Sequence, residues 1–230
     1  VFFMKALLKR SFVLALMLLV ALGAFCGCAS SQLEKNMDNV SELREHLFAA
    51  ESADYKLTAI SGIREEPYAL DGVSSSKRDF TVLTVTPVVF SADKTYRYKT
   101  EINGTTYEGD LLPHPFAQSL SADIPATATS DFAVTIICGG EQSFELKNSV
   151  QGELIGAEKA FDIALDKLKN ELKKFRSKGK LHAEIYVRLM ENPIDGNGGY
   201  FWYVSFVGED KVTVAILLRG DTGAVAATRI

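Results

Sequence analysis

Two kinds of periodicity run along this chain of 230 residues. From residue 54 to about residue 148, apolar and polar positions alternate in short stretches, as where Tyr55, Leu57 and Ala59 face Lys56, Thr58 and Ile60. A period of two predicts half-buried β-strands. Strands are expected over 54–61, 79–86, 94–102, 105–111, 132–138 and 142–147. Asn103-Gly104 sits between two such runs, the strongest short-range hairpin signal, and Gly139-Gly140-Glu141 joins the last two. Ahead of them, Asp38 and Asn39 offer N-caps for a short helix with Val40, Leu43 and Leu47 on one face. Residues 38–150 therefore read as an antiparallel, sandwich-like β domain that opens with a short helix.

The period then changes. After a break at 152–156, Phe161, Ala164, Leu165, Leu168, Leu172 and Phe175 recur at helical spacing. Acidic Glu158, Asp162 and Asp166 load the start of that helix, and Lys173, Lys174, Arg176 and Lys178 load its end, which complements the helix dipole. Gly179 suits the stop. Strands follow over 181–190, 200–207, 211–218 and 224–230, the last after the tight turn Gly220-Asp221-Thr222-Gly223. Residues 151–230 read as a helix plus an antiparallel meander, so the expected fold class is α+β in two domains.

Within that second module, Trp202-Tyr203-Val204-Ser205-Phe206 and the closing run Leu218-Arg219-Gly220-Asp221-Thr222-Gly223-Ala224-Val225 carry a resemblance. Together with the amphipathic helix, they resemble a PepSY-type domain over roughly residues 155 to 230. The resemblance implies a non-catalytic module that restrains peptidases or binds peptide segments, and it transfers no catalytic residue.

The N-terminus has its own logic. Lys5, Lys9 and Arg10 precede an uncharged apolar run over 11–25, and small residues lead to Cys28. Positive flank, apolar core and small-residue cleavage site describe an export signal. The run is shorter than the ~20 residues needed to span a bilayer. Phe25-Cys26-Gly27-Cys28 resembles the end of a bacterial lipoprotein signal. That resemblance implies cleavage between Gly27 and Cys28 and a diacylglyceryl group on Cys28, which supplies the two chains that stable anchoring takes. Cys26 competes for the lipid but has bulky Phe25 before it. An ordinary secretory signal, or an uncleaved anchor, is the alternative. On this reading residues 1–27 are signal peptide, 28–37 a polar tether, and the protein sits on a cell membrane facing outside the cytoplasm.

Removing Lys5, Lys9 and Arg10 with the signal takes the formal charge from −4 to −7. An acidic body argues against nucleic acid or an anionic lipid surface as the main partner. With Cys26 lost and Cys28 acylated, Cys138 has no thiol to pair with and reads as a small buried hydrophobe. His46, His114 and His182 are scattered, whereas a zinc site needs converging ligands. The segment 195–198 is only partly similar to a calcium loop. No nucleophile elbow, phosphate loop or paired-histidine helix is present in the sequence. The expectation is a binding protein with no metal, cofactor or catalytic set. Two places suit a protein or peptide partner: the long segment 112–130, with Pro113, Pro115 and Phe116, and the aromatic strand carrying Tyr200 and Trp202. The rivals are an extracytoplasmic hydrolase whose site is assembled from distant residues, and an envelope scaffold.

Overall fold

A computed structural model describes residues 30–194 and 198–230. The signal, Gly27 and Cys28, and the stretch 195–197 lie outside the described residues. Along the chain come α1 (Gln32–Lys35), a 3-10 turn (Met37–Asn39), β1 (Val40–Glu51), β2 (Tyr55–Glu65), β3 (Lys77–Pro87), β4 (Arg97–Ile102), β5 (Thr105–Asp110), β6 (Leu112–Pro113), β7 (Leu120–Ile124), β8 (Phe132–Ile137) and β9 (Glu141–Asn148). Then follow α2 (Ala157–Lys167), a 3-10 segment (Glu171–Phe175), β10 (Arg176–Ser177), β11 (Lys180–Leu181), β12 (Glu184–Glu191), β13 (Tyr200–Val207), β14 (Thr213–Arg219) and β15 (Val225–Arg229).

Half of the described residues are in strands and 12% are helical, and the main sheet is nearly closed into a barrel. The expected α+β class, with a helix plus a separate meander, is therefore wrong. The reason is a non-local pairing. β1 lies parallel to β12, with Val40 opposite Ile185 and Leu43 opposite Val187. That ladder welds the meander β12–β15 to the N-terminal strands, giving the order β15-β14-β13-β12-β1-β2-β3-β7-β6 in one sheet of 13 strands. Beyond the β12 ladder the same edge of β1 pairs with β9, with Phe48 opposite Asn148. From there β9, β8, β4 and β5 follow in turn, and β5 comes round into contact with β7.

β1 thus serves two cores. Val40 and Leu47 pack with Phe161, Leu168, Ile185, Trp202 and Val204 beneath α2. Phe48 packs inside the barrel with Leu57, Leu83, Val134 and Leu146. It is also where the expected short helix fails. Its pairing is irregular between Val40 and Glu42 and between Arg44 and His46. Such bulges disturb the period-two alternation, so Val40, Leu43 and Leu47, which share one core, sit three and four residues apart and mimic a helical stripe.

Other expectations are met locally. Asn103 and Gly104 turn with φ of 54° and 76°, the doubly positive backbone that a two-residue hairpin requires. The stripe of α2 continues as buried Leu168, Leu172 and Phe175, but α-helix ends at Lys167 and the rest is 3-10.

Candidate functional site

The ladder registers bring several loops to one end of the barrel. Glu51 pairs with Lys56 and Tyr55 with Pro87. Val85 and Pro113 both pair with Leu120. Arg97 lies between Asp110 and Ile137, and Ile137 faces Glu141. The turns at 52–54, 88–96, 114–119 and 138–140 therefore ring a common mouth. The β4–β5 hairpin and the Val40 end of β1 lie at the opposite end.

Large apolar side chains stand out from this mouth. Phe116 is 94% exposed, Val89 81%, Val88 68% and Leu112 66%. Between the turns lies a cleft of about 370 Å³ whose wall joins apolar Val88, Val89 and Tyr96 to charged Asp54, Lys94 and Glu141. Its frame is ordered: the Val88 N–H donates to the Asp54 carbonyl at 2.8 Å and the His114 N–H to the Ser119 carbonyl at 2.8 Å. Phe90 stacks on Tyr96 with ring centroids 6.3 Å apart. Cys138 is a partly buried free thiol in the cleft wall. Burial, with the neighbouring Cys138 second, pushes the Tyr55 phenol above its ordinary pKa. What this arrangement can do chemically is hold a segment that offers apolar side chains to the rim and polar groups to the cleft.

The expected partner residues divide. Pro113, Pro115 and Phe116 are exposed on the β6–β7 turn at the mouth. Tyr200 and Trp202 are elsewhere, on β13 beside α2. Trp202 is 2% exposed and its indole N–H donates to the Ile155 carbonyl at 2.9 Å. The half-buried Tyr200 hydroxyl donates to the Ser149 carbonyl. Both pin the chain leading into α2. The segment 112–130 holds a strand, β7, whose Leu120, Ala122 and Ile124 alternate inward. The run Val88-Val89-Phe90 was not singled out from sequence, although three apolar residues between two strands are a legible signal.

A second cluster went unforeseen. Glu184 on β12, Glu65 at the end of β2 and Glu42 on β1 are all buried. The β2–β3 connection, residues 66–76, folds back over them. Gly72 N–H donates to Glu184 Oε2 at 2.8 Å, and Ser75 N–H to Glu65 Oε2 at 3.0 Å. The Tyr186 hydroxyl contacts Glu184 Oε1 and lies 3.0 Å from the Ala69 carbonyl. Arg188 Nε donates to Glu42 Oε2 at 2.8 Å, and Glu42 also accepts from the Tyr68 hydroxyl. Burial first, then the Glu42 charge, drives the Tyr68 phenol far above its usual range. Burial is likewise the first cause for Tyr186, followed by its contact with Glu184.

His46, His114 and His182 lie on separate elements, and no group of three metal-binding side chains converges among the described residues. No helix among them is long and apolar enough to cross a membrane. Comparison with protein-family models, curated proteins and solved structures finds no match.

Proposed function

We propose that this chain is an extracytoplasmic lipoprotein, tethered through a diacylglyceryl group on Cys28, that binds a protein or peptide at the mouth of its barrel without catalysing a reaction on it. The exposed side chains of Val88, Val89, Leu112 and Phe116, on turns and strand ends at this end of the barrel, carry the reading, because large apolar side chains exposed on one face mark a surface that a partner covers. Pro113 and Pro115 stiffen the turn that presents Phe116, which lowers the ordering cost of binding.

The acidic body disfavours nucleic acid. The carboxyls of Glu65 and Glu184 do not favour a hydrolase in this arrangement, since both are sealed from solvent beneath residues 66–76. The test pairs two measurements. Intact mass of native protein should show a diacylglyceryl-modified Cys28. Capture from detergent-solubilised envelope should return a partner with the wild type and lose it with V89D/F116D at unchanged melting temperature. An unmodified Cys28 thiol, or full capture by the double variant, overturns the reading.

A further inference from the structure

We propose that the cationic segment 169–180 docks on a surface of anionic phospholipid; the inference rests on the lipid tether at Cys28. Six exposed cations gather there: Lys169, Lys173, Lys174, Arg176, Lys178 and Lys180. Sequence spacing puts most of them at the end of a helix, where they would complement its dipole. The structure removes that explanation. α2 stops at Lys167, and the dipole's effect falls off within the last turn. The cations from Lys173 to Lys180 lie beyond it, on the 3-10 segment and the β10–β11 hairpin.

Their base is fixed and their charge is left over. Leu172, Phe175 and Leu181 are buried in the core beneath α2, and the His182 N–H donates to the Phe175 carbonyl at 2.7 Å. Arg176 pairs with Leu181 and Ser177 with Lys180, so the two-residue tip Lys178-Gly179, with φ of 49° and 79°, carries Lys178 into solvent. Lys167 pairs with Asp166 at 3.4 Å, but none of the six cations forms an ion pair among the described residues. The Lys173 ammonium donates to the neutral Asn170 Oδ1 at 2.9 Å, and Lys174 lies over the Phe175 ring, 5.1 Å from its centroid. The acids nearby are Glu171 on the same segment, Asp38 on one side, and Glu209 and Asp210 on the other. Asp210 already accepts from the Val212 N–H at 3.1 Å. An ordinary solvated surface intersperses both signs; here one sign dominates, although the mature chain is acidic as a whole.

Two observations favour a lipid surface over an acidic protein. Gln32 and Lys35 wall the same cleft, of about 410 Å³, as Arg176, Lys180 and His182. Only Ala29, Ser30 and Ser31 separate Gln32 from Cys28 in the chain, so the cationic cleft and the lipidated residue are close covalent neighbours. The second observation is what the patch lacks. No large apolar side chain between residues 169 and 182 is exposed, whereas protein interfaces centre on apolar and aromatic anchors. Lysines on long stems with nothing apolar among them suit the diffuse charge of phospholipid headgroups. Like charge keeps the acidic remainder off the same surface, so docking sets which side of the body faces the lipid.

The test is lysine acetylation, read by mass spectrometry, on the native protein mixed with excess preformed vesicles. One set is phosphatidylcholine alone and the other carries about one third phosphatidylglycerol. Lys173, Lys174, Lys178 and Lys180 should label at least about fivefold more slowly with the anionic vesicles, the factor one cation gains at such a surface. The difference should vanish in about 1 M salt. Lys56, Lys99 and Lys147, exposed on barrel strands, should label alike in both. In K173E/K174E/K178E, three exposed changes, Lys180 should lose its protection. Equal labelling of the four lysines, slowing of every lysine, slowing that survives salt, or a Lys180 still protected in the variant would each overturn the docking. So would stronger protection by polyglutamate, the stand-in for an acidic protein. The Cys28 peptide of the same digest separates the two claims. A lipidated Cys28 with equal labelling sinks the docking alone, and an unmodified Cys28 sinks the tether and the docking with it.

Discussion

Replacing Trp202 by phenylalanine separates a structural residue from a binding one. The side chain is 2% exposed, lies in the ladder between Leu189 and Leu218, and is bonded to the Ile155 carbonyl at 2.9 Å. W202F removes the N–H and leaves that carbonyl without its indole donor, which costs about 1–3 kcal/mol where water cannot replace it. It also leaves a void of about 40 Å³, worth roughly 1 kcal/mol at about 24 cal/mol per Å³. Together the two effects give a loss near 3 kcal/mol, or about 6–12 °C for a body of this size. Urea unfolding followed by far-ultraviolet circular dichroism is the suitable assay, because Trp202 is the only tryptophan and its fluorescence disappears with it. Capture of the partner by the folded variant should be unchanged. A loss under about 0.5 kcal/mol, the range of an ordinary surface change, would refute the anchoring role.

Four further outcomes are expected. G72A should destabilise by more than about 2 kcal/mol in urea melts, because Gly72 has φ of +90° and an added Cβ would lie 2.4 Å from the Gly208 carbonyl oxygen. E42A strips Arg188 of its carboxylate partner, a buried-pair break of about 3–5 kcal/mol, and should show the same in a melt. F116S should leave stability within about 0.5 kcal/mol and weaken partner capture, read by titration against the captured partner. In an alkaline titration followed by tyrosinate absorbance, Tyr68 and Tyr186 should ionise last, together with loss of the folded circular dichroism signal. Burial raises both, and unfolding restores the ordinary value near ~10.

Short alternating runs made β2, β3, β8 and β9 legible, and turn chemistry exposed the Asn103-Gly104 hairpin. What stayed hidden was pairing. Periodicity reports which face a residue takes but not which strand lies beside it, so the parallel register of 40–44 against 185–188 had no local mark. The fold class went wrong with it. β1 was misread because its bulges space Val40, Leu43 and Leu47 like a helix. β7 was lost among the prolines of 112–130, although Leu120, Ala122 and Ile124 alternate. Half of the candidate mouth, Pro113 to Phe116, was visible as a long connection, while Val88-Val89 needed the registers that put the turns at 88–96 and 114–119 at the same end of the barrel. Glu42 and Glu184 are charged residues within strands, which alternation alone sends to solvent. They are buried because a connection eleven residues long folds over them, and sequence spacing says nothing of where a loop lies down.

Site-specific photocross-linking in intact cells tests the central claim most directly. A benzophenone amino acid at Val89 or Phe116 should yield adducts with a discrete partner protein, whereas the same probe at Leu70, exposed at the other end of the barrel, should not. Adducts at Leu70 alone, or none at Val89 and Phe116, would contradict a partner-binding mouth.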